Sequence, residues 1–166
     1  MGTNGSTMLE PLRQGLPPLD PGAVSDAASC SLPARHEAVR EARQFTRKTC
    51  EQWDLDHRFD DVCLVVSELV TNALRHGLPT CAPRPTGQET PVRLHLLRWT
   101  GRLVCAVRDP SHGSPVARAA NDFSAESGRG LLLVESFSDS WGWQPMRSGR
   151  GKMVWALFLL RPPGGA

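Results

Sequence analysis

Hydrophobic positions repeat most clearly between Asp60 and Gly77 (DDVCLVVSELVTNALRHG), where Val62, Val65, Val66, Leu69 and Ala73 fall at the spacing of one buried helical face. Asp60 and Asp61 suit a helix start, and Gly77 followed by Pro79 is a stop signal. The spacing therefore predicts a helix over this stretch. Glu68, Asn72 and His76 follow one another four residues apart, so each step rotates only about 40° around the axis. A carboxylate, an amide and an imidazole thus line one strip flanking the apolar face. By spacing alone the strip is either an exposed face with a dipole-friendly terminal His, or the wall of a cleft.

The flanking pattern predicts the remaining elements. Pro33–Trp53 reads as a first helix with Ala38, Val39, Ala42 and Phe45 as its apolar stripe and a solvated Arg/Glu face. Pro79–Pro91, with four prolines and Gly87, is a loop. Val92, Leu94 and Leu96 alternate with Arg93 and His95, which predicts a strand with His95 at the surface. Thr100-Gly101 is a turn into a second strand, Arg102–Val107. A polar loop about Ala117–Ser127 and a short helix about Leu131–Phe137 follow, then strands at Ser140–Gln144 and Lys152–Leu160. Helix, helix, hairpin, helix, hairpin is the order of an α+β two-layer sandwich.

Composition narrows the function classes. A chain of 166 residues is long enough for a single domain with a sizeable core. Its net charge of +2 gives no argument for nucleic acid or an anionic membrane as partner. Residues 1–29 are rich in Gly, Pro and Ser, show no period, and read as a disordered tail without a signal-peptide core. The expected division is that tail, a domain at 30–161, and a short C-terminal tail at 162–166. No apolar run reaches the length of a membrane span. Five cysteines without a CxxC pair argue against a disulfide framework or zinc site, and a cytoplasmic location is the simplest expectation.

Two further stretches carry candidate chemistry. Asp109 closes the second strand ahead of a Pro/Ser/Gly turn. There it is either a turn-initiating residue or a carboxylate able to accept a hydrogen bond from the exocyclic amine of adenine. Gly128-Arg129-Gly130 opens the third helix, where glycines and unpaired N–H groups suit a phosphate, although a lone GxG is a weak signal. It is not a GxGxxG, because Leu133 stands at the third glycine position, and Gly149–Lys152 is not a P-loop, because Met146 stands where the first glycine belongs. Lys152 is either a phosphate contact or, the favoured reading, a surface residue at a strand start.

Taken in order, these segments resemble the GHKL (Bergerat-fold) ATPase/kinase superfamily over roughly 31–160, and most closely its bacterial anti-sigma-factor serine/threonine kinase branch. ELVTNALRH resembles the N-box, Asp109-x-x-x-Gly113 the G1 box with Ser111 in place of a usual glycine, and Gly128–Leu131 the GxGL of the G2 box. The resemblance implies a mixed, mostly antiparallel sheet covered on one face by helices, a mobile lid, and ATP and Mg2+ as cofactors. It implies Glu68 as general base, Asn72 as metal ligand, Asp109 and Gly113 at the adenine, Gly128, Arg129 and Gly130 at the phosphates, and His76 as a second contact. The implied partners are a sigma factor and an anti-anti-sigma (STAS-type) protein phosphorylated on Ser or Thr, with a possible homodimer. Members of this branch can carry an Arg just before the Ser-Gly of the G2 box, and Glu126 occupies that slot here. Two readings stay open: an active kinase, and an ATP-binding module that sequesters a protein partner without catalysis.

Overall fold

The computed structural model describes residues 24–76, 92–99, 101–110, 126–146 and 151–160; for His76 and 126–130 only the backbone is described. In chain order the elements are β1 (Val24–Leu32), α1 (Glu37–Gln52), a 3-10 turn (Asp56–Arg58), α2 (Phe59–His76), β2 (Val92–Trp99), β3 (Arg102–Asp109), α3 (Glu126–Phe137), β4 (Ser140–Pro145) and β5 (Lys152–Leu159). The strands form one sheet in the order β1-β2-β3-β5-β4, and every described pair is antiparallel. The expected α+β sandwich is present, with three helices on one face.

The long helix starts one residue before the expected acidic pair and ends at His76. Its apolar stripe does what its spacing predicts: Val62, Val65, Val66, Leu69, Val70 and Ala73 are all buried, alongside Ala38 and Ala42 of α1 and Val134 of α3. The sheet contributes alternate residues to the same core, namely Val92, Leu94 and Leu96 from β2, Leu103, Cys105 and Val107 from β3, and Val154, Ala156 and Phe158 from β5. Burying these side chains against three helices is the main source of stability for such a layer.

Two sequence expectations are corrected. Val24–Ser29, inside the stretch read as a tail, belongs to edge strand β1, which pairs with β2 in the register Ala27↔Leu97, Ser29↔His95 and Ser31↔Arg93. Backbone ladder bonds hold it, so its side chains need not alternate apolar and polar. His95 is also not a surface residue: it is 9% exposed. The opposite face of the sheet carries its own buried cluster of Leu97, Trp99, Val104, Ala106, Met153, Trp155 and Leu157. His95 points to that side, and burial, reinforced by the nearby Arg93 and Arg108 charges, lowers its pKa to about 4. With both faces buried, the central strands β3 and β5 read as nearly unbroken apolar runs.

Among the described residues, no helix is long and apolar enough to cross a membrane. The thiols of Cys30, Cys50, Cys63 and Cys105 are free. Burial pushes the Cys105 thiol up to about 12, in keeping with a plain core position.

Candidate functional site

Anchors at one end of the sheet fix the direction of the helix layer. Asp139, just past α3, donates its N–H to the Leu157 carbonyl at 2.9 Å and accepts the Leu159 N–H on its carboxylate at 2.7 Å. Arg58, just before α2, reaches toward the same carboxylate at 3.9 Å and stacks 5.5 Å from the centre of the Phe158 ring. The start of α2 and the end of α3 therefore sit where β5 ends and β3 begins. Eighteen helical residues extend about 27 Å, close to the span of an eight-residue strand. Packed along β3, α2 carries its last turns toward the far end of the sheet, where Asp109 closes β3 and Lys152 opens β5. The antiparallel course of α3 brings its N-terminus toward that same end.

Three sequence-separated stations are thus directed toward one end of the sheet: the C-terminal half of α2 with half-buried Glu68 and Asn72, the end of β3 with Asp109, and the first turn of α3. His76 is the last residue of α2. Gly128, Arg129 and Gly130 lie inside the first turns of α3, which begins at Glu126, rather than ahead of the helix as the pattern suggests. The helix start presents unpaired N–H groups and the positive end of its dipole. Gly113 and the expected lid, about 116–125, lie outside the described residues.

Asp109 is only 2% exposed, so it is not an ordinary turn-starting surface residue. Its carboxylate lies 3.3 Å from the Lys152 ammonium, and both side chains are almost completely buried. Lys152 is accordingly not the surface residue expected of it. The preceding Gly151 holds φ +91°, and a Cβ there would come within 2.3 Å of the Asp109 carbonyl oxygen. Only a residue without a Cβ allows the ends of β3 and β5 to approach so closely. Sequence reasoning missed this pair because its members are far apart in the chain; a Gly-Lys opening an apolar strand was the one local cue.

The face of α1 offers a different surface. Arg40, Arg43 and Arg47 rim a shallow groove floored by Val39 and Phe59, and the Arg47 guanidinium sits 5.0 Å from the Phe59 ring centre.

Sheet order and helix layer together define a GHKL-like ATPase domain. The model of the histidine kinase-like ATPase domain family matches residues 32–158, and the chain belongs to that family. Among solved structures, it is similar to the RsbU and RsbW domains of Rv1364c from Mycobacterium tuberculosis, with 20% identity and a TM-score of 0.59, covering 83% of this chain and 33% of that one. The present chain therefore spans about a third of that relative's length. It is also similar to a chain of the SiaB–SiaC complex from Pseudomonas aeruginosa, with 12% identity and a TM-score of 0.54, covering 95% of this chain and all of that one. At these identities the likeness is one of fold. No curated protein matches the chain.

Proposed function

We propose that the chain binds ATP with magnesium at the Asp109 end of the sheet and acts as a serine/threonine protein kinase of the anti-sigma-factor type. In this reading it holds a sigma factor and phosphorylates a STAS-type anti-anti-sigma partner. What supports the proposal is a buried strand-end carboxylate, with the last turns of α2 and the start of α3 directed toward the same end of the sheet, in a histidine kinase-like ATPase domain. The fold likeness to a chain of a two-protein complex and to a chain with an RsbW domain supports a regulatory partner protein.

Each residue then has a task its chemistry suits. Asp109 accepts a hydrogen bond from the exocyclic amine of adenine, and Gly113, four residues on in the sequence, is assigned to the same end of the nucleotide. Gly128, Arg129 and Gly130 are assigned to the phosphates: the unpaired N–H groups at the α3 start, Gly128's among them, and the helix dipole favour the anion, the two glycines leave it room, and Arg129 adds its charge. Asn72 contributes an amide oxygen to magnesium, and His76 is a second contact at the phosphate end of α2. One amide oxygen as protein donor suits a magnesium held mainly by phosphates and water. When bound, the ion neutralises charge on the phosphates. Glu68 takes the proton of the partner's Ser or Thr hydroxyl as that oxygen bonds to the γ-phosphorus; the bond to the β–γ bridging oxygen breaks and ADP leaves.

A second reading, an ATP-holding module that sequesters its partner without catalysis, is favoured by Glu126 in the slot where a basic residue would stabilise the γ-phosphate. Calorimetric titration of ATP and magnesium into wild type, Asn72→Ala and Asp109→Ala tests the site: each variant is expected to lose about tenfold or more in affinity. Equal binding by all three refutes the assignment. Transfer of γ-phosphate to a STAS-type protein, abolished by Glu68→Ala, selects the kinase. Tight ATP binding with no phosphoprotein selects the module.

A further inference from the structure

The proposed site contains a charge to which the reading above gives no task. Asp109 and Lys152 stand directly opposite each other across β3 and β5, and their charged atoms are 3.3 Å apart. By strand alternation Asp109 shares the helix-facing side with Leu103, Cys105 and Val107, and Lys152 shares it with Val154, Ala156 and Phe158. Their side chains are 1% and 3% exposed. A lysine normally carries its ammonium to water, and a carboxylate withdrawn from water requires a countercharge. As a strand fastener alone the pair has no advantage over two packed apolar side chains. Its burial at the strand end, beside a glycine that lets the two backbones touch, points to a carboxylate that must be held in one orientation.

We propose that Lys152 is a positioning residue for base recognition, holding the Asp109 carboxylate so that it meets the 6-amino group of adenine. The inference rests on the nucleotide-binding reading above. Lys152 acts through Asp109 and need not touch the nucleotide. Its removal therefore erodes selectivity for the amine more than affinity for the triphosphate.

The test compares ATP with purine riboside 5′-triphosphate, which lacks only the 6-amino group, by calorimetry on the full chain with magnesium. Wild type is expected to prefer ATP by about tenfold or more, the value of one hydrogen bond to a charged group. In Lys152→Met the preference falls below about threefold, while purine riboside triphosphate binds within about threefold of wild type; Lys152→Arg, which keeps the charge, restores the preference. Should Lys152→Met fail to fold by circular dichroism, Lys152→Ala, which removes the donor and leaves room for water, takes its place. An undiminished preference in the Met or Ala variant, or no rescue by Arg, overturns the proposal and leaves nucleotide binding standing. A wild type that binds neither triphosphate overturns the nucleotide-binding reading itself.

Discussion

Replacing Gly151 by alanine isolates the close approach between the ends of β3 and β5. Gly151 has φ +91°, and its added Cβ would lie 2.3 Å from the Asp109 carbonyl oxygen and 3.2 Å from the Pro110 Cα. These neighbours are backbone, so relief requires the strand ends to separate. The positive φ costs an L-residue about 1–2 kcal/mol. Forcing the strands apart adds about 1–3 kcal/mol, the usual range for overpacking. A stiffer unfolded chain returns about 0.4–1 kcal/mol. The net expectation is a loss of about 2–4 kcal/mol. Gly101→Ala is the control: that glycine also has positive φ, +72°, but its nearest neighbour to a new Cβ is the Leu160 carbonyl oxygen at 3.8 Å. It carries the φ cost without the collision and should lose about 1 kcal/mol or less. Urea unfolding followed by tryptophan fluorescence gives both values, with Tm about 5–15 °C lower for Gly151→Ala. If the two variants agree within about 0.5 kcal/mol, the backbone contact does not constrain the strand ends and the reasoning fails.

Two more outcomes follow from other parts of the core. His95 stays neutral in the folded protein down to about pH 4 but gains a proton near pH 6.5 once unfolded. The unfolded state thus binds more protons in that window, so stability attributable to His95 is intact above pH 6.5 and declines as pH falls toward 4, by up to about 3 kcal/mol. The wild-type minus His95→Gln difference in unfolding free energy should carry that slope; a flat difference contradicts it. Phe158 is fully buried beneath Arg58, so Phe158→Ala should lose about 3–5 kcal/mol by urea unfolding. Leu159→Ala, at a side chain 49% exposed, should change stability by less than about 1 kcal/mol, and equal losses at the two positions would contradict the assigned faces.

Local pattern was sufficient wherever one element alone decides its neighbours. The α2 stripe, the strip of Glu68, Asn72 and His76, the β2–β3 turn at Gly101 and the limits of β4 and β5 are all short-range features, because helical and strand periodicity is written into adjacent residues. The motif order pointed to the family that the match over 32–158 establishes. Tertiary structure alone decided the rest. Strand β1 exists because β2 offers an open edge, and edge pairing uses backbone groups that every sequence possesses. His95 is buried because three strands bring a second apolar cluster together on its face, although Arg93 stands two residues before it on the same side of the strand. Asp109 and Lys152 meet because the β3–β5 register sets them opposite each other. The sequence determined which residue types were present and which local shapes they favour; the pairing of distant strands determined which charges left water together, since that depends on register and burial rather than on separation along the chain.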